Sequence, residues 1–169
     1  MEFAKARGAR IYAEIAGYET NCDAYSIMRL EPDGRKIVDL FRGVIRKAGL
    51  QPGDIGYINA HGTSTVPNDR TETRVFKEVF GSHAGSLAIS STKSMTGHAV
   101  GASGAIEAIS TALTMLTRIV PPTINLDNPD PECDLDYVPK KARETRVRVA
   151  VSSSYGFGGH NSALVLMEA

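Results

Sequence analysis

The stretch DIGYINAHGTSTVPNDRTETRVFKEVFG (residues 54–81) sets the reading of the whole chain. An apolar run from Ile55 to Ala60 has the length and composition of a short buried strand. It stops at His61, and a glycine and small hydroxyl residues follow. From Asn68 or Asp69 the pattern changes period, with Val75, Phe76, Val79 and Phe80 at helical spacing behind an Asx cap. Strand, small-residue loop and helix in that order are the unit of an α/β fold.

The same unit recurs on both sides. Upstream, ARIYAEIAGYE reads as a strand, and TNCDAYSIMRLEPDGR as a polar, turn-rich connection. KIVDLFRGVIRKAGL reads as a helix through Ile37, Leu40, Phe41, Val44 and Ile45. Downstream, SLAISSTK is a strand. GASGAIEAISTALTMLTR is a helix rich in small residues, with Ile106, Ile109, Leu113 and Leu116 on one face, as in a central buried helix. Residues 119–142 hold several prolines and no sustained period, so they form an ordered loop or short extended pieces. RVRVAVSSSYGFGG and HNSALVLMEA alternate and join at a glycine-rich turn. The order predicts an α/β domain over residues 1–169: a mixed, mostly parallel sheet with helices packed on it and a C-terminal β-hairpin.

Composition narrows the function classes. Of 169 residues, 42% are apolar and 22% charged, with 19 Lys+Arg against 19 Asp+Glu. A zero formal net charge provides no electrostatic case for nucleic acid or an anionic membrane. The apolar stretches are expected to fall short of a membrane span. Cys22 and Cys133 fit no disulfide framework and no zinc spacing, and free thiols point to a reducing compartment, the cytoplasm. The N-terminus lacks the apolar core of a secretory signal.

Three loops carry residues outside the periodic segments: Asn59-Ala60-His61-Gly62-Thr63-Ser64-Thr65, the run from Ser90 to His98 with Lys93, and Tyr155-Gly156-Phe157-Gly158-Gly159-His160-Asn161. Each follows a predicted strand, and in open α/β sheets ligands collect at the carboxyl ends of strands. A lone histidine at His61 reads first as a cap or turn residue. His98 and Lys93 in the same kind of loop shift the balance toward acid–base groups or donors to an oxyanion. No carboxylate or third histidine stands at i, i+4 spacing, which argues against a metal site. The loop GHAVGASGA enters a helix and can hold an anion, but it is not G-x-G-x-x-G. Phe157, flanked by glycines, reads equally as a turn aromatic and as a swinging gate.

Taken together, NAHGTST, SSTKSMTGHAVGASG, VPPTINLDNPDPECDLDYVP and GFGGHN strongly resemble the β-ketoacyl-acyl carrier protein synthases of the thiolase-like superfamily. The likeness is to the synthase II type and its polyketide ketosynthase relatives, and covers the C-terminal half of such an enzyme. It implies a decarboxylative Claisen condensation that joins an acyl group carried on a cysteine to a malonyl thioester on an acyl carrier protein. The resemblance assigns His61 and His98 as catalytic histidines, Lys93 as the family's lysine and Glu72 as its acidic partner. It further gives Thr63 and Thr65 to the pantetheine arm and Phe157 to a gate on Gly156, Gly158 and Gly159. No cofactor is implied beyond the carrier's phosphopantetheine. The implied partners are acyl carrier protein, the N-terminal half bearing the nucleophilic cysteine, and a second copy in a homodimer.

Three departures stand out. Neither Cys22 nor Cys133 lies in the nucleophile's motif, Ser153-Ser154-Tyr155 replaces Asn-Ser-Phe, and His160 replaces a threonine. A non-catalytic, chain-length-determining partner subunit is the alternative reading. An unrelated anion-binding α/β module is the third.

Overall fold

The computed structural model describes residues 1–169. A short helix α1 (Glu2–Ala6) precedes strand β1 (Glu14–Cys22). Helix α2 (Arg35–Lys47), strand β2 (Tyr57–Asn59), helix α3 (Val66–Phe80) and strand β3 (Ala88–Ser90) follow. A single turn α4 (Lys93–Thr96) leads to α5 (Ser103–Thr117). The proline-rich segment is clipped at its ends by β4 (Ile119–Val120) and β5 (Arg143–Glu144), and the chain closes with β6 (Val149–Gly156) and β7 (His160–Met167).

The main sheet has the order β1-β7-β6-β2-β3. β6, β2 and β3 are adjacent and parallel, while β7 pairs antiparallel with both β6 and β1. Only β7 therefore runs against the other strands, which is the mixed, mostly parallel sheet with a terminal hairpin that the sequence predicts. The arrangement has one functional consequence. Three neighbouring parallel strands deliver their carboxyl ends, and the three unusual loops, to the same edge.

Alternation along the strands sorts side chains between two layers. On one face Ile58, Ile89, Val151 and Val165 meet Ile37, Leu40, Phe41 and Val44 of α2 and Val75 and Phe76 of α3. Phe41 stands edge-on to Phe76 at 5.4 Å between centroids, a favoured aromatic geometry. On the other face Tyr57, Ala150 and Leu166 pack with Met115 of α5.

Two expectations change. β1 starts later than the pattern suggests and continues through polar Thr20 to Cys22, so Cys22 lies in a strand and not in the connection. The ladder to β7 draws it in, with Thr20 opposite Ser162 and Cys22 opposite His160, and β1 is an edge strand that can keep polar side chains in water. Helix α5 is inverted. It buries Ser103, Glu107, Thr111 and Thr114 against the sheet and leaves Ile109, Leu113 and Leu116 exposed. By length and composition the segment Val100–Thr117 reaches the threshold of a membrane span, with a mean hydropathy of 1.2 over 18 residues. The buried polar stripe, with a carboxylate in it, is instead that of a helix packed on protein.

Candidate active site

His61 is the second residue after β2. Its backbone N–H donates to Glu72 Oε1 at 3.0 Å, and the Gly62 N–H donates to Glu72 Oε2 at 2.7 Å. Glu72 thus reaches back from α3 to hold the loop, and Asn68 Nδ2 donates to it at 2.7 Å. Burial pushes the Glu72 carboxyl up to about 7, against the donors that favour its charged form. Gly62 is required here: its φ is +42°, and a Cβ would fall 2.4 Å from Ser91 Cβ.

The backbone N–H of Tyr155 donates to His61 Nδ1 at 3.3 Å. A nitrogen that accepts cannot carry the proton, so the neutral ring holds it on Nε2. Burial, followed by the charges of Lys93 and His98, lowers the His61 pKa to about 3. His98 is built alike: the Val100 N–H donates to its Nδ1 at 3.2 Å, and Ser103 Oγ lies 2.9 Å from the same atom. The two rings sit 5.6 Å apart between centroids, at 86°. Both line a cavity of about 290 Å³ with Gly156, Tyr155 and His160. Two imidazoles with free Nε2–H groups on one cavity form a donor pair for an oxyanion.

Lys93 opens α4, and its ammonium pairs with Glu107, not with Glu72 as the resemblance implies. The reason is local. The Glu72 oxygens are taken by loop and Asn68 N–H donors, while Glu107 faces the sheet from α5 and also accepts from Ser154 Oγ at 3.2 Å. Both partners are buried, so removing either alone costs about 3–5 kcal/mol. Lys93 lines a second cavity of about 510 Å³ with Thr63, Glu72 and Cys133; His98 borders both cavities.

The remaining expected residues are more dispersed. The Thr63 and Thr65 hydroxyls lie 3.3 Å apart at the loop rim. Gly158 and Gly159 have φ of +82° and +77°. Phe157 projects outward, 75% exposed and outside both cavity walls. No thiol lines the histidine cavity; Cys22 is exposed and donates to the Gly158 carbonyl at 3.4 Å. The roles of Glu107, Asn68 and Tyr155 escape the sequence reading. Glu107 had a signal as the single charge in α5.

This mixed sheet, with two imidazoles at the carboxyl edge of its adjacent parallel strands, is of the thiolase-like class. Within it, the C-terminal domain family of beta-ketoacyl synthases matches residues 12–127, and the chain belongs to that family. It is 56% identical over 164 residues to the 3-oxoacyl-[acyl-carrier-protein] synthase 2 of Synechocystis sp., covering 97% of this chain and 39% of that protein. The Coxiella burnetii protein of the same name is 49% identical over 166 residues, 98% of this chain and 40% of its own length. Among solved structures, a type II polyketide acyl-carrier protein in complex with its ketosynthase bound to the hexaketide superposes with a TM-score of 0.96 at 41% identity, covering 99% of this chain and 41% of that chain. The ishigamide ketosynthase/chain length factor gives 0.94 at 40% identity, covering 100% and 41%. The chain spans about two fifths of the length of the curated relatives it matches.

Proposed function

We propose that this chain supplies the histidine half of a ketosynthase site that carries out decarboxylative Claisen condensation in fatty acid or polyketide chain elongation. A malonyl thioester on acyl carrier protein loses CO2; the C–C bond breaks and its electron pair passes into the thioester enolate. Nε2–H of His61 and of His98 hold the enolate oxygen. The α-carbon then attacks an acyl thioester on a cysteine of the N-terminal half, whose thiolate leaves. Lys93, neutralised by Glu107, positions the second loop and leaves proton transfer to other groups. Thr63 and Thr65 edge the path of the pantetheine arm, and Phe157 gates it. No cofactor is required beyond the carrier's phosphopantetheine. The partners are acyl carrier protein, an N-terminal half that covers α5, and a second copy. Without that half's cysteine, the 169-residue chain alone does not condense acyl groups.

The observation that carries this reading is the pair of imidazoles 5.6 Å apart, each with Nδ1 occupied by a backbone N–H. Neither a chain-length partner nor an anion-binding module needs that pair. The test is malonyl decarboxylation by the complete protein. His61→Ala and His98→Ala each slow it by about 10²–10³-fold. The double variant costs little more than the worse single one, because the pair acts on one oxygen. Unimpaired decarboxylation by the double variant refutes the proposal.

A further inference from the structure

The two imidazoles owe their tautomers to different kinds of support. His61 Nδ1 accepts from one donor, the Tyr155 N–H of β6, at 3.3 Å. His98 Nδ1 has two neighbours, the Val100 N–H at 3.2 Å and Ser103 Oγ at 2.9 Å. A backbone N–H can only donate, so with that bond made Nδ1 accepts, and the Ser103 hydroxyl donates to it as well. One lone pair serves both donors, and the shorter contact takes the larger share.

The two donors are not equally well held. Val100 is β-branched and sits at φ +50°, in the left-handed region, where such a residue is a strained exception. Its side chain is 80% exposed, so little packing within this chain fixes that conformation. Relaxation of φ would carry its N–H away from His98. Ser103 is the opposite case. It is the first residue of α5 and is buried, and its hydroxyl makes no other hydrogen bond. The next turn of the helix pins it to the sheet: Glu107, four residues on, pairs with Lys93 and accepts from Ser154 Oγ of β6 at 3.2 Å. At Gly104 the helix lies close enough to β6 that a Cβ would touch Ser154 Oγ, at 3.8 Å.

We propose that Ser103 is the positioning residue for His98: from a helix seated on the sheet, its hydroxyl keeps Nδ1 an acceptor and the ring proton on Nε2. Each imidazole then takes its tautomer from a regular element, His61 from β6 and His98 from α5. The Lys93–Glu107 pair gains a role in this, as the anchor of the helix that carries Ser103. The proposal rests on the reading of His98 as an oxyanion donor and adds the side chain that keeps it one.

Ser103→Ala removes the hydroxyl and suits the start of a helix. The complete protein with ring-15N-labelled histidine reads the tautomers at about pH 7.5. The Nδ1–H form of His98 should be under about a tenth in the native protein and rise to about a third in the variant, while His61 stays as it was. An unchanged His98 overturns the proposal, and so does a shift at both rings, which would mean a general loosening of the site. Turnover supplies the second arm. Ser103→Ala should slow malonyl decarboxylation about tenfold in the native background and less than about twofold when His98→Ala is already present. Equal slowing in both backgrounds shows that Ser103 does not act through His98 and overturns it. The tautomer measurement needs no turnover, so a protein that leaves malonyl thioesters intact refutes the reading of the reaction while the nitrogen signals still decide the role of Ser103.

Discussion

His61 shows how a single side chain's chemistry is set by backbone atoms. One N–H fixes its tautomer, and burial fixes its charge. The depressed pKa has a stability consequence. The folded state holds the neutral ring, so the contribution is complete above the ordinary value of 6.5 and is lost as pH falls from there toward about 3. Glu72 has the opposite sign: its raised pKa contributes below 4.5 and is lost as pH rises through about 7. The two slopes oppose one another in mildly acidic solution, so whole-protein stability alone does not separate them. Comparison with His61→Gln does. Between about pH 7 and about pH 5, the stability difference should move by about 2 kcal/mol in the variant's favour. Urea unfolding at both values measures it, and a difference that stays constant contradicts the account. At this scale the sequence was legible where a residue is unusual in itself: His61, His98 and Lys93 break the pattern of their segments. The Lys93–Glu107 pair was hidden because partner choice is tertiary. The Tyr155 N–H was hidden because a backbone donor has no residue type to announce it.

Elements were legible through period, and period misleads where a sheet takes a helix's polar face. Helix α5 shows a clear apolar face in sequence, yet the sheet takes the polar one, through Glu107 and Thr111. The apolar face is exposed at Ile109, Leu113 and Leu116, and the proposed function has an N-terminal half packing on it. β1 likewise outruns its apolar pattern because the β7 ladder, not side-chain burial, holds its polar end. The prediction at this scale is a contrast. Ile109→Ala and Leu113→Ala should change the stability of the 169-residue chain by less than about 0.5 kcal/mol each, as exposed substitutions do. In the complete protein each should cost about 2–5 kcal/mol, the range for buried Leu or Ile. Denaturant unfolding of both forms decides, and equal small effects in both would mean that nothing covers α5.

The molecule as a whole places three loops on one edge because β6, β2 and β3 are adjacent and parallel. Topology, not local sequence, brings His61 and His98 together across residues far apart in the chain. Loops at strand ends made the convergence foreseeable, while the partition of the edge into two cavities with His98 between them was not. The central claim is that two imidazoles present Nε2–H groups to one cavity. Ring-15N-labelled histidine in the complete protein tests it directly by NMR, with His61 and His98 assigned from single substitutions. The account predicts an unprotonated Nδ1 and a protonated Nε2 at both rings near about pH 7.5, with His61 showing no titration down to about pH 5. A proton on Nδ1 of either neutral ring, or a His61 that titrates near its ordinary value, would contradict it.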